Sequence, residues 1–303
     1  MDAYTRTFDT LRPRLEGLAY RMLGSRAEAE DIVQDAWLRW HEAPQATLDS
    51  AEAWLVTITT RLSIDRLRMA KVRRDSYPGM WLPEPMLTES PTTPEQILER
   101  SDDISVAFLV LLEQLAPEAR AAFLLREVFD TDYEEVAQMV GKSVAACRQM
   151  VHRAKAQLLD KRPNSTKVRD AHQGLMRSFA EALVKGDFAA LKQMLDDNAQ
   201  LIGDGGGKVQ TFPKPMLGGQ RIAQLFYAAC LRYGKELRIE LVQINGEWGL
   251  LRFIEGKLES AQTYETDGQR ILRVNVQRNP DKLARLNAAW ARLEAARSQH
   301  PAA

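Results

Sequence analysis

The chain of 303 residues is poor in cysteine and histidine, carries no net charge and contains no long apolar run. Two cysteines, Cys147 and Cys230, exclude a disulfide framework and a multi-cysteine zinc site, and each reads as a small core residue. Four scattered histidines (His41, His152, His172, His300) show no ligand spacing, so neither a metal nor a cofactor is expected. The longest nearly unbroken apolar stretch, Ile104 to Leu112, is about half of the roughly 20 residues that cross a bilayer, so no membrane partner is expected. The opening MDAYTRTFDT lacks the basic start and apolar run of a secretory signal, which places the chain in the cytoplasm. Hydrophobic residues at 45% and charged residues at 27% exclude a disordered or fibrous chain, and the length suits two or three domains.

The zero balance hides sorted charge. Residues 27–35 hold Glu28, Glu30, Asp31 and Asp35 with no Lys or Arg. Residues 61–74 hold Arg61, Arg66, Arg68, Lys71, Arg73 and Arg74 against Asp65 alone. Residues 142–162 repeat the pattern with Lys142, Arg148, Arg153, Lys155, Lys161 and Arg162 against Asp160. Basic blocks on a neutral chain point to an anionic partner met at two places, with solvated helix faces as the alternative.

Punctuation divides the chain. Apolar spacing of three and four through Leu11, Leu15, Leu18, Ala19 and Met22 predicts an amphipathic helix. Further helices follow over about 27–40 and 51–73, with a loop at His41–Ser50 between them. Pro78, Gly79, Pro83, Pro85, Pro91 and Pro94 crowd into 17 residues and mark an extended linker. Helical pattern resumes from Pro94 to about Leu159, and Pro163-Asn164-Ser165 is a second boundary. Beyond it two short helices precede strands near 199–204, 238–244, 248–254, 258–265 and 271–278, with a helix near 220–232, and Asn245-Gly246 and Asp267-Gly268 as turns. A helix from Pro280 to about Arg297 ends the pattern.

In the second helix Ala29, Val33, Ala36, Trp37 and Trp40 form the expected core stripe. Glu28, Asp31 and Asp35 line the other side with Ile32 beside them, a docking face for a basic protein surface or a solvated helix start. In the third, Leu55, Ile58, Leu62 and Leu67 are expected inward and Arg61, Arg68, Arg73 and Arg74 outward toward phosphates. The tryptophans Trp37, Trp40 and Trp54 read as core. Asp132 with Glu135 is a capping box, Gly141 suits a left-handed C-cap, and Ser143 can cap the next helix. That helix buries Cys147, Met150, Val151, Ala154 and Leu158 and displays Arg148, Gln149 and His152, flanked by Arg153 and Lys155, as a helix-turn-helix reader would.

The string AYRMLGSRAEAEDIVQDAWLRW (19–40) resembles region 2 of bacterial sigma factors of the extracytoplasmic-function group, and AWLVTITTRLSIDRLRMAKVRRD (53–75) resembles the part of region 2 that opens the −10 element. DYEEVAQMVGKSVAACRQMVHRAKAQL (132–158) resembles region 4, which reads the −35 element. Residues 167–279 look like a SnoaL-like domain of the NTF2-like superfamily, and WLPEP (81–85), DGGGK (204–208) and NPDKL (279–283) recur in the subgroup that carries it. The resemblance implies two all-α domains, region 2 (1–77) and region 4 (104–163), joined by an acidic Pro-rich linker (78–103). An α+β SnoaL/NTF2-like cone domain (167–279) and a helical tail (280–303) would follow. It implies core RNA polymerase binding through Glu28, Asp31, Gln34 and Asp35. The −10 element would fall to Arg61, Arg68, Arg73 and Arg74, and the −35 element to Ser143, Arg148, Gln149, His152, Arg153 and Lys155. Promoter DNA and core polymerase are the implied partners.

Asp204-Gly205-Gly206-Gly207-Lys208 follows a strand without the helix start of a phosphate loop, leaving a structural turn or a docking site for the linker or region 2. Trp81, Leu82 and Pro83 in the linker, this glycine turn, and Asn279, Pro280, Asp281 and Lys282 are the candidate regulatory contacts, with Trp81 expected as a buried clip. An unknown small ligand or partner protein at the SnoaL-like domain is a further expectation. Catalysis is not expected: Asp204, Asp267 and His172 form no acid–base pair at a convincing spacing. A stand-alone ligand-responsive regulator is the alternative function, though it leaves the acidic face unused.

Overall fold

The computed structural model describes residues 3–44, 48–75, 77–88, 105–159 and 166–299; the side chains of 3, 71–75, 159, 166–170 and 299 fall outside that description. So do the linker from 89 to 103, the loop tip 45–47, the Pro163-Asn164-Ser165 boundary and the chain end with His300. The chain divides into two compact units, Met1–Ser76 with Phe108–Arg162, and Tyr77–Ala107 with Pro163–Ala303. The two helical segments expected as separate domains thus share one unit, while linker residues 77–88 belong to the other.

The first unit is helical: α1 (Ala3–Leu23), α2 (Arg26–Glu42), α3 (Ala51–Asp75), α4 (Val106–Leu112), α5 (Pro117–Glu127), α6 (Tyr133–Val140) and α7 (Val144–Leu159). Gly24 ends α1 with φ of 67°, donating its N–H to Tyr20 O, and Ser25 caps α2 by accepting from Glu28 N. Helix α2 is clasped by α1 and α3, and it buries Ala29, Ile32, Val33, Ala36 and Trp40. Trp40 packs on Trp54 at 5.7 Å and donates Nε1–H to Tyr4 O, whereas Trp37 is half-buried. Along α3, Leu55 and Leu67 are buried as expected, but Ile58 and Leu62 are only partly so. Val56, Thr59, Thr60, Ser63 and Ile64 complete the inner face, where small side chains let the neighbouring helices approach. In α4–α7, Leu109, Leu112, Leu124, Val136, Cys147 and Val151 form the core. No helix among the described residues is long and apolar enough to cross a membrane.

The second unit contains α8 (Thr166–Lys185), α9 (Phe188–Met194), β1 (Leu195–Asp204), β2 (Met216–Leu217), α10 (Gly219–Tyr233), β3 (Leu237–Ile244), β4 (Glu247–Ile254), β5 (Lys257–Thr266), β6 (Ile271–Gln277) and α11 (Pro280–Gln299). Its sheet has the order β2-β1-β6-β5-β4-β3. Among the described strands only β1 and β6 pair in parallel, with Leu201 opposite Val274 and Asp204 opposite Gln277. Asn245-Gly246 turns β3 into β4 with φ of 52° and 80°, the positive pair that a two-residue hairpin demands. Glu255-Gly256 does the same between β4 and β5 with φ of 51° and 74°. Helices α8, α9 and α10 cover one face, where Phe179 stacks edge-on against Phe226 and Tyr264 at 5.6 and 5.5 Å. Helix α11 packs on β5, with Trp290 5.7 Å from Phe253 of β4. This is the helical-plus-mixed-sheet architecture that the sequence resemblance implied.

Candidate functional site

The acidic face of α2 differs from its expected composition. Ile32 is not an exposed companion of the carboxylates; it is 1% exposed, because α1 and α3 clasp the helix from two sides and widen its buried stripe. The exposed apolar residue is Leu38, at 55%. Asp31, Gln34, Asp35 and Leu38 fall at i, i+3, i+4 and i+7, so they share one outward face. Glu28 leans instead toward Arg66 of α3, whose Nη1 lies 3.7 Å from its carboxylate and 4.0 Å from that of Asp31.

The basic face of α3 is also occupied. Arg61 donates from Nη2 to Gln138 O at 2.9 Å and from Nε to Met139 O at 3.2 Å, both at the end of α6. Arg68 bridges Asp65 on its own helix and Glu118 of α5, at 2.9 and 2.5 Å. Arg61 therefore engages the helix-turn-helix and Arg68 the helix before it, rather than standing free as sequence periodicity implied. The side chains of Arg73 and Arg74 lie outside the described residues. From the other direction, Arg120 of α5 donates to Met22 O of α1 at 2.6 Å and to Glu113 Oε1 at 2.8 Å.

The helix-turn-helix is built by its caps. Asp132 accepts from Glu135 N at 2.8 Å, and Gly141 takes φ of 70° while donating to Ala137 O. Ser143 accepts from Ala146 N, so its hydroxyl caps α7 instead of projecting from it. Helix α7 exposes Arg148, Gln149, His152 and Arg153. Arg148 lies over the Tyr133 ring at 5.3 Å and 3.8 Å from Glu134, while Lys155 is paired with Glu127 at 2.6 Å.

In the second unit the three recurring strings converge on Asp204. Its carboxylate is fully buried and accepts five hydrogen bonds. Oδ1 receives the Tyr77 hydroxyl at 2.6 Å and Gly206 N at 3.0 Å. Oδ2 receives Leu82 N at 2.9 Å, Gln277 Nε2 at 3.2 Å and Lys282 Nζ at 2.7 Å. Burial, reinforced by the Asp204 carboxylate, holds the Tyr77 hydroxyl well above the usual phenol range, so it stays a donor. Lys282 also donates to Leu82 O at 2.6 Å, with its ammonium 4.3 Å from the Trp81 ring centroid. Asn279 donates to the Tyr77 hydroxyl at 3.1 Å and caps α11 through Asp281 N, placing Pro280 at the first helical position.

The glycines admit the linker. A Cβ on Gly207, whose φ is 70°, would stand 2.5 Å from Pro78 Cγ, and one on Gly206 would strike the Asn279 amide. A second clamp sits at the β3–β4 turn, where Asn245 Oδ1 accepts from Met86 N and Thr88 N donates to Gln243 O, both at 2.9 Å. Leu87 bridges Ile244 there like a short added strand.

Two expectations need correction. Lys208 does not hold the linker; it reaches Asp281 at 2.6 Å on the exposed surface. Trp81 is only half-buried beneath Lys282, and Leu82, 2% exposed, is the residue that the domain encloses, together with Pro83 and Pro85. Tyr77, Gln277, Asn245 and Thr88 were missed, and no periodicity marks such partners.

Residues 7–73 match the sigma-70 region 2 family and residues 105–158 match sigma-70 region 4. The extracytoplasmic-function sigma factor SigJ of Mycobacterium tuberculosis is 37% identical over 246 residues, covering 80% of this chain and 78% of that protein. SigG of the same bacterium is 28% identical over 263 residues, covering 78% and 69%. The crystal structure of M. tuberculosis SigJ matches with a TM-score of 0.74 at 30% identity, over 92% of this chain and 98% of that one. With an acidic helix face, a capped helix-turn-helix and both sigma regions in order, the chain belongs to the extracytoplasmic-function sigma factors, which bind RNA polymerase and recognise promoters.

Proposed function

We propose that this sigma factor is regulated in cis by its C-terminal domain, which grips the linker between regions 2 and 4. The five hydrogen bonds onto buried Asp204 are the observation that carries this reading, since they fix Tyr77 and Leu82 to the glycine turn and α11. A gripped linker restricts how far the two regions can separate on a promoter, and release would lengthen their tether. A small ligand or partner protein of the domain would act by shifting that grip. The domain serves as a clamp and not as a catalyst: Asp204 is saturated with donors, and both His172 ring nitrogens have partners, Thr266 Oγ1 and Trp248 O.

Within the sigma unit, Asp31, Gln34 and Asp35, with Leu38 beside them, form the face offered to core polymerase, and Glu28 steadies it through Arg66. Arg148, Gln149, His152 and Arg153 read the −35 element, with Ser143 setting the helix start and Lys155 at the flank. Arg61, Arg68, Arg73 and Arg74 serve the −10 element. The protein acts in the cytoplasm, where its polymerase is.

The test is run-off transcription with purified core polymerase on a promoter selected by the full chain. Truncation after about residue 279 and Asp204→Asn in the full chain should both change promoter activity in the same direction. Unchanged activity in both would remove the regulatory role and leave the sigma function intact.

A further inference from the structure

The sheet face on which residues 82–86 lie carries polar groups that the clamp does not use. Leu82 and Pro83 are held at β6 by Gln277, and Met86 is held at the β3–β4 turn by Asn245. The strand order puts β5 and β4 between those two holds, so residues 83–85 cross both strands. Asn275 stands two residues before Gln277 on β6, opposite Thr263 of β5. On its other side it meets Ile202 of β1, two residues before Asp204. Side chains two apart on a strand share a face, so Asn275 and Thr263 lie side by side beneath that crossing.

Asn275 is 2% exposed and Thr263 7%. Yet both amide atoms of Asn275 and the Thr263 hydroxyl have no hydrogen-bond partner among the described residues. The segment above them is ill-suited to supply one. Pro83 and Pro85 have no N–H to give. The Glu84 carboxylate, buried between them, turns toward Arg285 of α11, whose Nε lies 3.8 Å away. Burial without a partner forfeits the hydration that each group had, which shifts an equilibrium toward the wet state by about five- to 150-fold per group. The Asp204 network pulls the other way. An apolar pair at these two positions would close the same face without opposing it, and valine has nearly the shape of threonine.

We propose, resting on the cis-regulatory reading above, that Asn275 and Thr263 are the release element of the clamp. Gripping strips them of water and returns no partner, whereas lifting residues 82–86 rehydrates both. The pair thus opposes the Asp204 network and keeps the linker in exchange between gripped and lifted states. A modest difference in a ligand's affinity for the two states is then enough to move the balance.

Amide hydrogen exchange in the full chain reads lifting directly, because the Leu82 and Met86 N–H groups are bonded to Asp204 and Asn245 only while the linker is gripped. Thr263→Val and Asn275→Leu should each slow exchange at both amides by about fivefold or more, relative to the amides of the inner strand β6. Thr263→Ser keeps the hydroxyl and should not slow it. Unchanged or faster exchange at Leu82 and Met86 in Thr263→Val overturns the proposal. So does a slowing that β6 shares to the same extent, since the pair would then act on global stability alone. Should Asn275→Leu fail to fold, Thr263→Val decides by itself. Run-off transcription separates this proposal from the reading it rests on. Slower exchange with unaltered promoter activity sinks the cis-regulatory role and leaves the release element standing. Promoter activity shifted in the direction opposite to that of Asp204→Asn supports both.

Discussion

The linker clamp and the sigma-unit junction use the same chemical groups in opposite ways. At Asp204 a buried carboxylate collects five donors from four chain segments and leaves no room for a competitor. At α3, Arg61 and Arg68 are exposed and bonded to carbonyls or to carboxylates that a phosphate can replace. Burial converts a polar contact into a structural commitment, because a lost partner leaves an unsolvated charge behind. Exposure keeps it exchangeable, which is what a DNA-binding surface requires.

The comparison breaks most sharply at Asp204. Replacing it with Ala leaves the Lys282 ammonium largely buried without its counter-charge and should destabilise the C-terminal domain by about 3–5 kcal/mol in urea denaturation. An effect no larger than that of an exposed pair would mean that the clamp is as exchangeable as the junction. Gly207→Ala comes next, since it forces a side chain into left-handed backbone against Pro78. It should cost about 1–3 kcal/mol and expose residues 77–88 to protease before the rest of the domain. On the exchangeable side, Arg148→Ala should weaken −35 binding by about 1–3 kcal/mol at one base pair and relax preference there, read by promoter-library selection with core polymerase. Arg153→Ala should instead weaken all sequences alike and flatten the salt dependence.

The smallest effect concerns pH. Burial lowers the His172 pKa below its ordinary 6.5, so the folded domain prefers the neutral ring. Stability should therefore fall as pH drops through 6.5, when the unfolded chain takes up the proton first, and level off below the folded value. His172→Gln should flatten that slope in urea midpoints measured across the range.

How much of this was legible depended on whether a signal was local. Asp132, Gly141, Ser143 and Asn245-Gly246 announce caps and turns through a few adjacent residues, and each stands where that chemistry places it. The wheel of α2 misplaced Ile32 because periodicity assumes one covered stripe, whereas two helices cover α2. Arg61 and Arg68 were read correctly as exposed, but exposure says nothing of a partner some 77 residues away, such as Gln138 for Arg61. The strings WLPEP, DGGGK and NPDKL pointed to the clamp as a set, yet Tyr77 and Gln277 join it by tertiary geometry alone.

The clamp also has a schedule. Leu82 and Lys282 are 200 residues apart in the chain, and the hydrogen bond between them cannot form until the second has left the ribosome. At synthesis rates of about 5–20 residues per second, roughly 10–40 s separate their appearance. The region 4 segment is made within that interval and the region 2 segment before it, so both exist while the tether between them is still loose. Every newborn molecule therefore passes through an ungripped youth before its own C-terminal helix closes it.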